Sequence, residues 1–313
     1  MIYKNFNMKE NGFVGHMAEP ELNKKNKAVI VIMGGEKSIL PGIKIAERFA
    51  DFGFIGLAVS LFGAEGLPDG IDRIPLEMFE PAIHYLRTER KVSSISIYGM
   101  SMGSIFAALV AKYIRGIDNM ILCSPSHVPF EGVMSDRKTM TGHSIATYQG
   151  REIPYVKPDF STGQINKYVY VPEINRKTMK MWIAYHNAYE DKQLEAQANL
   201  HLEETNTRIL LIAGTADEAW PSDYSVQFIK RELDACRYQK DYKILLYKNA
   251  SHLIGVMPNR NRNKWLYRAM PIIGLMYKSI GAHKKDCIEA LLASEKEVIS
   301  WINDEDIDSE GIR

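Results

Sequence analysis

Three things are scarce in this chain: long apolar runs, an excess of one charge sign, and cysteine. No hydrophobic stretch approaches the roughly 18 residues that a membrane-spanning helix requires, and the start, MIYKNFNMKENG, has no apolar signal core. A protein neither secreted nor membrane-bound is expected. Lys+Arg 39 against Asp+Glu 38 leaves a net charge of +1, so no global field would hold a phosphate backbone. Nucleic acid is not an expected partner. Cys123, Cys236 and Cys287 are widely spaced and form no Cys-x-x-Cys pair, which suits free thiols in a reducing, cytoplasmic setting. No H-E-x-x-H, Cys-His cluster, Walker loop or strand-borne G-x-G-x-x-G occurs, so neither a metal nor another cofactor is expected.

What is present is apolar material enough for one sizeable core: 313 residues, 46% hydrophobic and 25% charged. Tyr3 to Glu10 and Phe13 to Glu19 flank Asn11-Gly12, which predicts a β-hairpin with a tight turn. Ala28 to Met33 (AVIVIM) is a continuous β-branched run ending in Gly34-Gly35, the pattern of a strand buried on both faces of a parallel sheet. Alternation follows: a helix over Ile39 to Phe52, a strand over Phe54 to Ser60, and a helix over Pro75 to Arg90 with proline in its first turn. A strand over Ile95 to Tyr98, a helix over Ser104 to Ile114 and a strand over Met120 to Cys123 continue it.

The pattern lapses between Ser124 and about Asn206, where glycine, proline and tyrosine interrupt any countable period. It resumes with strands at Arg208 to Ala213 and Lys243 to Tyr247, and helices at Tyr224 to Leu233 and Lys284 to Asn303. The expectation is one α/β domain over residues 1–313, a mostly parallel sheet with helices on both faces and a cap inserted at about 124–206. The acidic end, Asp304 to Glu310, reads as a solvated tail.

Gly99-Met100-Ser101-Met102-Gly103 matches G-x-S-x-G between an apolar strand and a small-residue helix, the context in which that motif carries a nucleophile. On so sharp a turn, side chains two residues before and after the serine would collide unless those residues are glycine or similarly small, and Gly99 and Gly103 meet that demand. The amide of Met102, at the helix start, would face the oxygen of a tetrahedral intermediate, and a second amide is expected from Gly35 or Glu36 after the first buried strand. A serine hydroxyl needs a base within hydrogen-bond reach and a carboxylate to orient that base. Of eight histidines, His16, His84, His127, His143, His186 and His201 precede the strand expected to carry the acid. His283 abuts the closing helix, whereas His252, in NASHLIG, follows the last strand at the sheet's carboxyl edge. His252 is the expected base. Asp217, within a turn of the strand RILLIA, is the expected acid, with Glu218 and Asp223 as neighbours; a mere helix cap fits Ser222 or Asp223 better.

Several stretches together resemble the catalytic C-terminal domain of the acyl-CoA thioester hydrolases and bile acid-CoA:amino acid N-acyltransferases. They are VIVIMGGEKS, GLPDGIDRIPLEMFEPAIHYLR, ISIYGMSMGS, YQGREIPYV, ILLIAGTADEAWPS and NASHLIG, running from about Ala28 toward the closing helix. The resemblance implies an α/β-hydrolase fold and a Ser or Cys nucleophile with Asp and His, falling on Ser101, Asp217 and His252. The segment before Ala28 is too short for the immunoglobulin-like domain that precedes this part in the mammalian enzymes. Serine where the amino-acid-conjugating transferases have cysteine resembles the hydrolytic members.

The expected substrate is therefore a small acyl ester or thioester, with a carboxylesterase on oxygen esters, an N-acyltransferase, and a non-catalytic binding protein on the same scaffold as rivals. Within the insertion, Tyr148, Tyr155, Phe160, Trp182, Tyr185 and Tyr189 either line an acyl pocket or pack a small helical cap. Arg137, Lys138, Arg151 and Lys157 read as a solvated basic face rather than a phosphate site. No motif sets acyl-chain length or oligomeric state.

Overall fold

The computed structural model describes residues 1–22, 24–35, 37–136, 139–161, 163–256 and 274–304. Eight strands form one sheet: β1 (Ile2–Phe6), β2 (Gly15–Glu19), β3 (Lys27–Ile32), β4 (Ile55–Val59), β5 (Ser94–Met100), β6 (Asn119–Cys123), β7 (Arg208–Gly214) and β8 (Tyr242–Tyr247). Their spatial order is β1-β2-β4-β3-β5-β6-β7-β8. The first two run antiparallel to their neighbours and the other six are mutually parallel.

The apolar runs explain why this sheet is covered twice. Along β3, Ala28, Ile30 and Ile32 point into one layer while Val29 and Val31 point into the other. In β7 the same alternation sends Ile209, Leu211 and Ala213 one way and Leu210 and Ile212 the other. Helices α2 (Glu80–Thr88), α3 (Met102–Tyr113) and α4 (Ser222–Ala235) cover the first face, and α1 (Leu40–Asp51) and α5 (Lys284–Asn303) cover the second. The parallel strands thus all open onto one carboxyl edge, where their connecting loops converge. No helix among the described residues is long and apolar enough to cross a membrane.

Three local expectations are corrected. β1 and β2 do pair as a hairpin, but the connection is a one-turn helix over Met8–Asn11, not a tight turn. Asn7 Oδ1 accepts the Glu10 amide at 2.9 Å, and Gly12, at φ +75°, closes the turn onto the Met8 carbonyl. Pro75 lies in a two-residue strand beside Ala146–Tyr148, and a 3₁₀ turn over Leu76–Phe79 precedes α2. The prolyl nitrogen of Pro81 has no hydrogen to donate, so the α-helix starts around it, with Pro81 in its first turn. Asp304 is no part of a free tail: it caps α5 and pairs with Lys27 and Arg208.

Residues 124–206, where no regular period can be counted in the sequence, hold short ordered elements among their described residues. Short strands pair at Glu131–Val133 with Met140–Ser144, at Ala146–Tyr148 with Arg151–Glu152, and at Tyr168–Val171 with Arg176–Met179. Helices follow at Lys180–Asn187 and Lys192–Ala198. Strands of two to five residues are too short for a hydrophobic period to emerge from sequence.

Just after β6, His127 is wholly buried, with Nδ1 3.0 Å from Ser225 Oγ, Nε2 3.0 Å from Glu195 Oε1 and its ring stacked on Phe228 at 4.3 Å. Burial pushes the imidazole below its ordinary value of 6.5. Burial would raise Glu195, but hydrogen bonds from His127 and Lys192 outweigh it and draw the carboxyl down to about 2. In both cases the unfolded chain takes up its proton first as pH falls. Stability from His127 is therefore complete above pH 6.5 and is lost below it, while that from Glu195 is complete above 4.5 and fades toward 2. The melting temperature is expected to fall from pH 7.5 to pH 5.5, and to fall less in His127→Gln than in wild type, as read from thermal denaturation at each pH. Equal slopes for the two proteins would show that His127 is not the responsible group.

Candidate active site

Ser101 sits between β5 and α3 at φ 58° and ψ −129°, a left-handed conformation that an L-residue holds only when its surroundings impose it. The imposing contacts are main-chain ones. The Ser101 amide donates to the Cys123 carbonyl at 3.0 Å, and its carbonyl accepts from the Ser104 amide at 2.8 Å and hydroxyl at 2.6 Å. A Cβ on Gly99 would lie 2.3 Å from the Gly103 carbonyl oxygen, and one on Gly103 would lie 2.3 Å from that of Ile32. Neither backbone could retreat, so both glycines are required by contact as well as by motif.

The turn lifts Ser101 Oγ to 2.9 Å from His252 Nε2, and His252 Nδ1 is 2.9 Å from Asp217 Oδ2. Asp217 is fully buried. Its Oδ1 accepts the amides of Ala219 at 2.8 Å and Trp220 at 3.3 Å, while Oδ2 accepts the Ser222 hydroxyl at 2.6 Å as well as the imidazole. A carboxylate only accepts, so the imidazole proton facing it belongs on Nδ1, leaving Nε2 to accept from Ser101. The three expected side chains are thus brought together. Glu218 and Asp223 are not: Glu218 accepts from Tyr168 and Ser279, and Asp223 lies in the first turn of α4. Burial, with the Asp217 charge adding to it and Arg176 opposing it, raises the Asp223 carboxyl above its ordinary value.

Other supports carry no sequence signal. Ser124, at φ 48°, donates its hydroxyl to the His252 carbonyl at 2.6 Å and accepts the Trp220 indole N–H at 3.0 Å through its own carbonyl. Trp220 stands edge-on to the His252 ring, with centroids 5.3 Å apart. The end of β3 is near, since the Gly103 contact brings the Ile32 and Met33 carbonyls against α3. Gly35 follows in that loop and has an interaction of its own, while Glu36 lies outside the described residues.

Of the insertion's aromatics, Tyr185 packs edge-on against Trp220 at 5.4 Å and Phe160 against Tyr185 at 5.5 Å. Those two lead toward His252. Tyr189 and Trp182 pack on His127 and His186, Tyr148 pairs with Tyr113, and Tyr155 donates to the Gly142 carbonyl. Arg151 and Lys157 are exposed, and Arg137 and Lys138 lie outside the described residues. Away from Ser101, Asp217 and His252, the side chains of His201, Glu203 and Glu232 bring one ligand atom each within 4.8 Å of one another. They are half-buried, and Glu232 lies nearly three helical turns beyond Ser222 along α4.

Residues 74–262, a span that includes Ser101, Asp217 and His252, match the family described as BAAT / Acyl-CoA thioester hydrolase C terminal. The chain belongs to this family. Among curated relatives, it is 24% identical over 213 residues to acyl-coenzyme A thioesterase 6 of Homo sapiens, covering 67% of this chain and 45% of that one. It is 23% identical over 215 residues to mitochondrial acyl-coenzyme A thioesterase 2 of Mus musculus, covering 67% and 41%. The match therefore spans less than half the length of these relatives. A lipase solved in its open form superposes with a TM-score of 0.55 at 15% identity, covering 97% of this chain and 99% of that one. The fold is that of the α/β hydrolases.

Proposed function

We propose that this protein hydrolyses an acyl-CoA thioester through a covalent acyl-serine. The observation that carries the reading is the continuous hydrogen-bonded path from Ser101 Oγ through the His252 ring to Asp217 Oδ2, each link 2.9 Å. Ser101 attacks the acyl carbonyl while His252 Nε2 takes its proton; the same nitrogen then protonates the departing thiolate. Water, deprotonated by His252, releases the acid and restores Ser101. Asp217 holds the Nδ1 tautomer and stabilises the imidazolium formed at each stage. The amide of Met102, first residue of α3 and so without a carbonyl one turn earlier to bond, faces the oxyanion. The second oxyanion donor proposed is the amide of Gly35 or Glu36, after β3, Glu36 lying outside the described residues.

Family membership favours a thioester over an oxygen ester, because the relatives it matches are named acyl-coenzyme A thioesterases. The ring contacts of Phe160 with Tyr185 and of Tyr185 with Trp220 support the reading of the insertion at about 124–206 as a cap. The test is a panel of acyl-CoA thioesters and p-nitrophenyl esters of graded chain length, with and without glycine or taurine. Release of free CoA at a kcat/KM at least tenfold above that of any matched oxygen ester is expected, together with a single fluorophosphonate adduct on Ser101. Faster oxygen-ester cleavage would make the protein a carboxylesterase, and an N-acyl amino acid product would make it a transferase. A folded protein that neither turns over nor takes the fluorophosphonate would be a binding module.

A further inference from the structure

The acid and base loops are gripped from outside by one β-hairpin of the insertion. Its strands, Tyr168–Val171 and Arg176–Met179, pair antiparallel, with Val171 opposite Arg176 and Tyr168 opposite Met179. Tyr168 and Arg176 are therefore separated by three registers, on the order of 10 Å along the ribbon. From one position the Arg176 guanidinium donates to the Thr215 carbonyl and, at 3.0 Å, to the Asp217 carbonyl. From the other the Tyr168 hydroxyl donates to Glu218 Oε2 at 3.1 Å and accepts the Lys278 amide at 3.0 Å. That carboxylate oxygen also accepts the Ser279 amide at 2.9 Å and hydroxyl at 2.8 Å. Ser279 Oγ lies 2.8 Å from Ser251 Oγ, and Ser251 immediately precedes His252.

Every residue at the second grip except Tyr168 and Lys278 is buried, namely Glu218, Ser251 and Ser279. Releasing one partner there leaves polar atoms that water cannot easily reach, so the network holds as a unit. Arg176 acts on main-chain carbonyls two residues apart, which sets the turn from which the Asp217 side chain projects. One tertiary element thus spans residues 215–218 and reaches, through Ser279, the residue before the base.

We infer that the Tyr168–Met179 hairpin is a positioning clamp, in which Arg176 and Tyr168 hold Asp217 and His252 in mutual register for proton transfer. The inference rests on the triad reading above. Neither residue touches Ser101 or the reacting atoms, so the effect must fall on the chemical step and not on substrate affinity. In Arg176→Gln the turn keeps its length but loses a bidentate donor, and a displacement of a fraction of an ångström at Asp217 follows.

The experiment measures kcat and KM separately for Arg176→Gln, Arg176→Lys, Tyr168→Phe and Ser101→Ala on whichever acyl substrate wild type turns over fastest. Fluorophosphonate labelling rates and melting curves are recorded for each. Arg176→Gln is expected to lose roughly 10- to 100-fold in kcat and in labelling rate with KM within about twofold of wild type. Arg176→Lys, able to reach one carbonyl, should recover part of that loss, and guanidinium ion at tens of millimolar should partly restore Arg176→Gln. Tyr168→Phe, which deletes the hydroxyl and with it the bonds to Glu218 and from the Lys278 amide, should lose about three- to tenfold in kcat. Should Arg176→Gln fail to fold, Tyr168→Phe carries the test. Wild-type kcat in the folded variants, or a change confined to KM, overturns the clamp. Ser101→Ala that retains wild-type turnover overturns the triad reading itself, an outcome separate from the behaviour of the hairpin variants.

Discussion

Ser101→Ala is expected to lower kcat on acyl-CoA by about 10⁴- to 10⁶-fold, with a melting temperature within a few degrees of wild type. The turn that holds position 101 at φ 58° is imposed by main-chain bonds to Cys123 and Ser104 and by the close contacts of Gly99 and Gly103. None of these uses the serine hydroxyl. What the hydroxyl does contribute is a 2.9 Å bond to His252, one partly buried hydrogen bond worth about 1 kcal/mol. The variant should therefore fold, bind substrate and fail to turn it over, with no fluorophosphonate adduct. Release of CoA, followed by a thiol reagent, checks the rate. Turnover within tenfold of wild type would mean that Ser101 is not the nucleophile.

Asp217→Asn should be nearly as severe, at about 10⁴-fold in kcat, and the contacts of Asp217 say why. Its Oδ1 receives two backbone N–H groups, from Ala219 and Trp220, which only an oxygen can accept. An asparagine there must place its carbonyl oxygen at that position and its NH₂ at the Oδ2 position, facing His252 Nδ1. The NH₂ donates, so Nδ1 must accept, and the ring proton moves to Nε2. A base already protonated toward Ser101 cannot take the serine proton. The Ser222 hydroxyl, 2.6 Å away, can rotate from donating to accepting, so the fold has a way to accommodate the amide. Stability should change far less than rate. The check is kcat with the melting curve alongside, and an Asn variant that retains more than a tenth of wild-type kcat would remove Asp217 from the mechanism.

Much of this site could be read along the chain because its most demanding constraints are local. AVIVIM and RILLIA announce strands covered on both faces, since an uninterrupted apolar run has no face to offer water. The glycines of GMSMG are forced by atoms within a few residues or on the adjacent strand end, so the motif carries its own steric reason. The insertion is illegible for the opposite reason: its strands are only two to five residues long, and one of them, Ala146–Tyr148, also pairs with Ile74–Pro75 outside the segment. The N-terminal turn misled because Asn11-Gly12 suits a helix end as well as a hairpin, and the capping contact from Asn7 settles which forms.

The sequence by itself determined the alternation of strands and helices, the strained serine with its two glycines, and an order of Ser, Asp and His with each following a strand. Those depend on backbone sterics and hydrophobic period, which act over a few residues. The sequence also singled out Asp217 over Glu218 and Asp223, but only the tertiary structure set its Oδ2 against His252 Nδ1 and put Ser124, Ser222, Arg176 and Tyr168 around the pair. The Ser101–His252 bond joins residues 151 apart in the chain and the His252–Asp217 bond residues 35 apart. At such separations the meeting of two side chains is set by how strands stack and loops pack, and no local pattern encodes it.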